Sequence, residues 1–149
     1  MRYLYPFILF FLLFSTTQLF AQCPSVGDLV ITEIMPNPSG TDTNKEYFEV
    51  HNSTSSDIDM MDMIIKDDGS NSHTINAMLV VPANGYVVLG RSDDMMANSG
   101  LPMVDYVLTT SFSLTNSEDE IIIECNGTEI DRVAYNQSVA ATTFPFSSG

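Results

Sequence analysis

The sequence predicts an all-β sandwich, and three observations support this fold class. After residue 21, no stretch shows the sustained apolar period of 3.6 residues that marks an amphipathic helix. Short runs rich in Val, Ile, Tyr, Phe and Met instead alternate with Gly, Pro, Asn, Asp and Ser, a spacing typical of sandwiches and barrels. Hydrophobic residues make up 44% of the 149 residues, which is enough to bury the core of one domain.

Seven apolar runs predict strands, and two shorter runs predict extended segments. In the second strand, alternation places Phe48 and Val50 on the core face and Tyr47, Glu49 and His51 on the solvent face. The third strand is apolar on both faces, so we expect it at the centre of its sheet. The predicted strands span residues 29–35, 46–51, 60–66, 86–89, 104–108, 120–125 and 129–135, and the shorter segments span 73–75 and 112–114.

The last two strands predict a hairpin whose pairing contains a conflict. Asn126-Gly127 is a strong two-residue turn sequence, because both positions of that turn need φ > 0. A two-residue loop places Glu124 opposite Glu129, and like charges directly across a ladder are unfavourable. We therefore expect either a bulge near Asp131 or a longer loop.

Residues 1–21 predict a cleavable secretory signal peptide. Arg2 supplies a minimal positive region, an apolar run over residues 3–14 follows, and Ala21 is a small residue at the cleavage position. A spanning helix needs about 20 apolar residues, so we expect cleavage before Gln22, no stable membrane insertion afterwards, and a secreted, extracellular or cell-surface location. Two alternatives stay open: retention of the segment as a membrane anchor, and a lipid anchor on Cys23.

Cys23 and Cys125 are the two cysteines, and in the oxidising compartment that export implies they predict one disulfide. The bond closes a loop of about 100 residues, for which chain entropy predicts a stabilisation of ~4–5 kcal/mol. Two unpaired thiols are the alternative. Two cysteines alone cannot supply the four ligands of a usual structural zinc site.

The charge balance excludes one class of partner. The chain has 5 Lys and Arg residues against 19 Asp and Glu residues, a formal net charge of −14, and loss of the leader with Arg2 makes it −15. Four scattered cations cannot form the basic face that phosphate contacts require, so we expect no nucleic-acid partner. An anionic membrane surface repels the chain for the same reason.

The sequence shows no catalytic constellation, and we expect no enzymatic activity. His51 on the solvent face and His73 in a polar connection are interpreted as ordinary surface histidines, with no Gly-x-Ser-x-Gly elbow beside them. Glu46 and Glu49 lie on opposite faces of one strand, so they cannot share a substrate as acid and base through that strand. Residues 118–120 are interpreted as a solvated turn.

Calcium is the strongest chemical alternative to a domain without cofactors. Residues 67–72, together with Asp57, Asp59 and Asp62, offer oxygen ligands in flexible loops, which suits a hard cation. Neither group has the order of an EF-hand loop, and residues 67–72 equally fit a turn. We expect no cofactor, and a structural calcium ion stays open.

Four blocks of the sequence resemble the lamin tail domain, in the form found in secreted bacterial proteins. The resemblance covers about residues 28–149, so a short segment, 22–27, precedes one domain, and it implies an immunoglobulin-like β-sandwich. The blocks are DLVITEIMPNP (28–38), KEYFEVHN (45–52), SDIDMMDMIIKD (56–67), and VPANGYVVL (81–89) with SLTNSEDEIIIECNGTEIDRVAY (113–135).

The resemblance also marks eight residues as structural positions of the family motif. For Glu33 and Glu49, we expect carboxylates that accept hydrogen bonds from neighbouring turns. For Asp131, we expect a role at a turn or strand end. The eight positions are Glu33, Pro38, Glu46, Glu49, Asn52, Gly85, Asp131 and Tyr135.

Two departures from the family pattern carry consequences. The family usually has Gly and then Trp where this sequence has Asp62 and Met63, so we expect an altered bulge and a more loosely packed core centred on Met and Phe. The sequence stops at Gly149, within a Pro-containing segment that the family usually continues, which suggests that it is a piece of a longer protein.

The resemblance implies a non-catalytic exported module for extracellular or cell-surface interaction and attachment. Such a module is accessory to a larger surface or secreted protein and binds a protein or glycan ligand. Two alternatives stay open: a single-domain secreted structural or adhesive protein with a calcium-supported fold, and an accessory region of a secreted hydrolase or nuclease.

Overall fold

The structure of the chain is a computed structural model that describes residues 22–101, 103–109 and 112–136. The predicted signal peptide lies outside the described residues. The same holds for the segment after residue 136, which includes the Pro-containing end of the sequence. Ten strands form in the described part: β1 (Leu29–Met35), β2 (Tyr47–Asn52), β3 (Ile58–Asp59), β4 (Ile64–Lys66), β5 (Ser72–Thr74), β6 (Val80–Val81), β7 (Tyr86–Gly90), β8 (Tyr106–Val107), β9 (Glu118–Cys125) and β10 (Thr128–Asn136).

The strands form two four-stranded sheets and a two-stranded ribbon. The first sheet has the order β1-β2-β7-β8, the second has the order β10-β9-β4-β5, and β3 pairs with β6. β7 and β8 run parallel, and the other named pairs run antiparallel. The all-β fold class is confirmed, and the sheets are consistent with an immunoglobulin-like sandwich. Within the described residues, no helix has the length and apolar character needed to cross a membrane.

The core lies between the inner faces of the two sheets. Phe48 and Phe112 are fully buried, with ring centroids 6.2 Å apart. Met60 and Met63 belong to the same cluster, but Ile, Leu and Val supply most of its side chains, so the expected core centred on Met and Phe is not observed. Strand alternation places Val50 inward next to Phe48, which confirms the predicted faces of β2.

The strand predicted over residues 60–66 is interrupted, and that prediction is corrected. The Met63 N–H donates to the Met60 carbonyl at 3.0 Å and closes a turn that separates β3 from β4. Within this turn Asp62 has a φ of 66°, a left-handed conformation that favours glycine, which is the usual family residue there. β4 is only three residues long, but it lies between β9 and β5 and is therefore central, as expected.

Three further predictions of local structure are wrong. Residues 112–114 form no strand, because the Phe112 N–H closes a turn on the Thr109 carbonyl at 3.1 Å. Residues 118–120 are not a solvated turn but the start of β9, because β10 continues its ladder opposite them. The strand predicted over residues 104–108 is reduced to the two residues of β8.

The β9–β10 hairpin contains both the predicted turn and the predicted bulge. Asn126 and Gly127 form the two-residue turn with φ values of 48° and 80°. The register shifts between Glu129 and Asp131, so one extra residue lies on β10. Because of the bulge, Val133 points into the core. A register without the bulge would place Val133 on the side of the second sheet that points away from the core.

The Cys23–Cys125 disulfide is present, with Cα atoms 5.7 Å apart and a sequence separation of 102 residues. It ties the segment before β1 to the end of β9, as predicted. The Gly27 N–H adds a hydrogen bond to the Ile130 carbonyl at 3.0 Å. Residues 22–27 are therefore held against the hairpin of the second sheet.

Candidate functional site

Asp131 connects the two sheets along one side of the sandwich. Its Oδ2 accepts a hydrogen bond from the backbone N–H of Ile31 at 2.7 Å, across from β10 to β1. The β1 register shifts between Ile31 and Glu33, so the two edge strands are irregular where they approach each other. Asp131 therefore satisfies a backbone donor at a strand edge, which is a structural task.

Glu46 is a buried carboxylate that fixes the segment after β8. Its Oε2 lies 3.5 Å from the Arg91 Nη1 and accepts a hydrogen bond from the Leu114 N–H at 3.4 Å. Burial raises the pKa of Glu46, and the Leu114 N–H and the Arg91 charge act in the opposite direction. Arg91 also donates to the Phe112 carbonyl, so this ion pair ties residues 112–114 to the beginning of β2.

Asn52 is fully buried at the end of β2, and both the nitrogen and the oxygen of its carboxamide form hydrogen bonds. The Nδ2 group donates to the carbonyls of Ser56 at 2.8 Å and Val81 at 3.0 Å. The Oδ1 atom accepts from the N–H and the hydroxyl of Thr54 at 2.9 and 2.8 Å. Asn52 thus joins the loop after β2 to β6 and offers no free group to a ligand.

Gly85, Tyr135 and Pro38 also have structural surroundings. A Cβ on Gly85 would lie 3.0 Å from the Cβ of Pro82 and 3.1 Å from its carbonyl oxygen, so a larger residue would displace the turn. The buried Tyr135 donates its hydroxyl to the Thr115 carbonyl at 2.5 Å, and burial raises its pKa. Pro38 is buried beside an open cleft next to β1 and β2.

Glu33 and Glu49, in contrast, lie on the surface of the first sheet that points away from the core. The strand register arranges the outward side chains in three cross-strand rows on β1, β2 and β7. We call this surface the outer face. Its rows are Val30, His51 and Tyr86; then Glu33, Glu49 and Val88; then Met35, Tyr47 and Gly90, with Val107 of β8 beside Gly90.

Two rings of the outer face stack on each other. The ring centroids of His51 and Tyr86 lie 4.4 Å apart at an interplanar angle of 33°, and Tyr86 is 54% exposed. A third ring is fixed by a hydrogen bond, because the Tyr47 hydroxyl donates to the Glu33 carboxylate at 2.6 Å. Burial is the largest cause that raises the pKa of the Tyr47 hydroxyl, and the hydrogen bond to the Glu33 carboxylate is the second. The hydroxyl therefore stays protonated. The aromatic side chains are therefore ordered before any partner arrives.

The carboxylates of the outer face have no cationic partner within the described residues. Glu33 and Glu49 are cross-strand neighbours, and Glu49 accepts a hydrogen bond from the Thr32 hydroxyl at 2.7 Å. The basic side chains of the described residues bond elsewhere: Lys45 to the Ser39 carbonyl, Lys66 to Glu124, Arg91 to Glu46, and Arg132 to Asp68 and Glu129. The outer face therefore combines aromatic rings with negative charge that no described cation compensates.

His73 was interpreted as a surface residue, and that interpretation is wrong. The side chain is 5% exposed, with Nδ1 3.0 Å from the Thr109 hydroxyl and Nε2 3.0 Å from the Tyr106 hydroxyl. Burial lowers the pKa of His73. The reason is topological: β5 and β8 are the last strands of the two sheets on the same side, so the ring joins the sheets opposite Asp131.

The acidic segments that suggested calcium ligands use their carboxylates to close turns. Asp67 accepts from the Asn71 N–H at 2.9 Å, Asp57 accepts from the Ala83 N–H at 2.9 Å, and Asp59 accepts from two backbone N–H groups at 3.0 Å. In the ranges 22–101, 103–109 and 112–136, no group of three or more His, Cys, Asp or Glu residues is arranged to hold a metal ion. Structural calcium stays a prediction.

Sequence reasoning identified the outward residues of β2 but did not identify the outer face. Alternation predicted that Tyr47, Glu49 and His51 point toward solvent, whereas no face was predicted for Tyr86. The same alternation in β7 could have identified Tyr86. Val87 and Leu89 are buried, so Tyr86 and Val88 point outward. The pairing of β2 with β7, which brings the two rings together, is not visible in either strand alone.

The chain was compared with the sequence models of known protein families. The sequence model of the family described as Lamin Tail Domain matches residues 22–137, which include all ten strands and the disulfide-linked segment before them. No curated protein matches the chain.

Proposed function

The chain belongs to the lamin tail domain family, and from that premise we propose that it is a non-catalytic exported module that binds a partner outside the cell. The family is a β-sandwich module, which is consistent with a domain without catalysis. The binding site in this proposal is the outer face. The module is accessory to a larger surface or secreted protein, and its location is extracellular or at the cell surface.

The observation that carries the proposal is an exposed tyrosine, Tyr86, stacked on His51 in the outer face. Tyr86 is 54% exposed and Val107 is 41% exposed, although both lie on strands of the first sheet. Small-molecule sites are concave, whereas macromolecular interfaces are flatter and enriched in Tyr. A protein or a glycan is therefore the class of partner that this surface suits.

The disulfide supports the exported location and weighs against a lipid anchor. Disulfides persist in oxidising compartments, and Cys23 is bonded to Cys125. A lipid thioether on Cys23 would use the sulfur that the disulfide needs. We therefore expect the secreted form to begin at Gln22 without lipid. Amino-terminal sequencing and intact mass of the exported protein check this, and an uncleaved leader or a lipidated Cys23 would contradict it.

Attachment to the surface of the producing cells tests the binding role directly. Labelled exported protein is applied to intact cells, and its retention is compared between wild type and Tyr86→Ala. We expect about a tenfold loss, because an exposed Tyr at the centre of an interface is a typical hot spot. Met78→Ala is the matched control, since Met78 is 74% exposed but lies outside the outer face. Equal retention of all three proteins would overturn the proposal.

A further inference from the structure

Two glutamate pairs occupy equivalent cross-strand positions on the outward surfaces of the two sheets. Glu33 of β1 pairs with Glu49 of β2, and Glu124 of β9 pairs with Glu129 of β10. Directly paired residues in an antiparallel ladder have Cα atoms about 4.5–5.5 Å apart, so like charges at both places repel. The two pairs therefore present the same electrostatic problem.

Among the described residues, counter-charges lie beside the second pair only. The Lys66 Nζ lies 2.5 Å from Glu124 Oε2, and an Arg132 nitrogen lies 2.9 Å from Glu129 Oε2. Glu33 and Glu49 accept hydrogen bonds only from the neutral hydroxyls of Tyr47 and Thr32 among the described residues. Residues 137–149 contain no Lys, Arg or His.

The row next to this unneutralised pair is aromatic. Tyr86 stacks on His51, and His51 is two residues from Glu49 on the same side of β2. A guanidinium or ammonium group is attracted to the face of an aromatic ring and to a carboxylate at the same time. Arginine suits both contacts, because its planar fork stacks on rings and bonds carboxylates in a bidentate manner.

We infer that the outer face binds a basic segment of a partner protein, with an arginine or lysine side chain placed against Tyr86 and between Glu33 and Glu49. The inference rests on the proposed function and names the partner of the same surface. Charge complementarity selects this occupant: a neutral glycan offers no counter-charge, and an anionic glycan is repelled. The formal net charge of −14 attracts a basic partner over a longer range as well.

The test uses the exported protein with its disulfide intact and ¹⁵N label, titrated with the peptide Arg-Ser-Arg-Ser-Arg. The comparison peptide carries citrulline at each arginine position, which keeps the size and removes the charge. We expect amide shifts confined to β1, β2 and β7 with the arginine peptide, weakening as salt rises, and none with the citrulline peptide. Shifts spread over the whole acidic surface, or no shifts, would overturn the inference.

The variant pair separates a defined site from general attraction to an acidic protein. Glu33→Gln with Glu49→Gln keeps both hydroxyl hydrogen bonds and removes two charges, and we expect about a tenfold weaker affinity for the peptide. Asp62→Asn with Asp93→Asn removes the same charge at exposed positions outside β1, β2 and β7, and we expect a change within about twofold. Equal losses in the two double variants would overturn the site.

A neutral oligosaccharide, cellohexaose, distinguishes failure of this inference from failure of the proposed function. If cellohexaose shifts the amides of the outer face and the arginine peptide does not, the basic partner is wrong while the binding role of the face stands. If cell-surface attachment is also unaffected by Tyr86→Ala, the proposed function is wrong as well. Binding of the arginine peptide alone supports the inference.

Discussion

The outward surfaces of the two sheets share one local pattern but differ in whether its negative charge is neutralised. Each carries a cross-strand pair of glutamates, but Lys66 and Arg132 neutralise one pair, and no described cation neutralises the other. On the second sheet both cations also flank Ile122 in register, and this residue is fully buried although it lies outside the main core cluster. Their aliphatic stems cover it.

The difference shows how two cations, Lys66 and Arg132, distinguish a closed surface of this acidic sandwich from an open one. The second sheet uses its cations to seal an apolar side chain and to join β4, β9 and β10. The first sheet leaves Tyr86 exposed and Glu33 and Glu49 partly exposed. We interpret the sealed surface as part of the stabilising framework and the open surface as the part available to a partner.

The largest expected effect comes from releasing the hairpin that carries the neutralised pair. Cys23→Ser with Cys125→Ser removes a bond that spans 102 residues, and we expect the free energy of unfolding to fall by about 4–5 kcal/mol. Urea denaturation measures the loss. Reduction of the wild type should reproduce it. A loss below about 1 kcal/mol would show that the hairpin does not depend on this bond.

A smaller effect separates the two tasks of Lys66 on the closed surface. Lys66→Ala removes the charge paired with Glu124 and the stem beside Ile122, and we expect a loss of about 1 kcal/mol in the free energy of unfolding. Lys66→Met keeps an apolar stem and removes only the charge, so its loss should be about half as large. Equal losses in thermal or urea unfolding would mean that the stem contributes nothing.

The smallest expected effect has the opposite sign and belongs to the open surface. Glu33→Gln with Glu49→Gln removes a repulsion that no described cation offsets, so we expect a stabilisation of about 0.2–0.5 kcal/mol. Glu124→Gln, which removes a neutralised charge and leaves Lys66 without its partner, should destabilise instead. Urea midpoints at low salt measure both changes. Destabilisation by the Glu33 and Glu49 double variant would contradict the proposed contrast between the two surfaces.

Predictions from turn chemistry and from alternation in β2 were accurate, whereas the strands expected over residues 60–66, 104–108 and 112–114 are shorter or absent. The turn at Asn126-Gly127 and a bulge near Asp131 follow from φ preferences and from the charges that a short loop brings together. The faces of β2 follow from alternation at Phe48 and Val50. The glycine expected by the family at position 62 was the signal for the positive φ that interrupts the strand predicted there.

Of the features that depend on distant pairing, the disulfide was predicted correctly, the surroundings of His73 were predicted wrongly, and the pairing of β2 with β7 was not predicted. His73 looked like a surface residue because its neighbours in sequence are polar, whereas β8 brings the hydroxyls of Tyr106 and Thr109 against its ring. The candidate site depends on distant pairing too, since β2 and β7 are separated by 33 residues between Asn52 and Tyr86. The sequence of either strand alone does not indicate that the rings of His51 and Tyr86 stack.

By itself, the sequence determined the all-β class, the faces of β2, the hairpin turn, the cysteine pair and an acidic chain with few cations. These properties follow from composition, from a period of two residues and from turn chemistry, which act over short distances. The tertiary structure alone decided which glutamates the cations neutralise and which rings meet. Strand order brings residues such as Lys66 and Glu124 together across 58 positions, and electrostatic compensation depends on that spatial proximity.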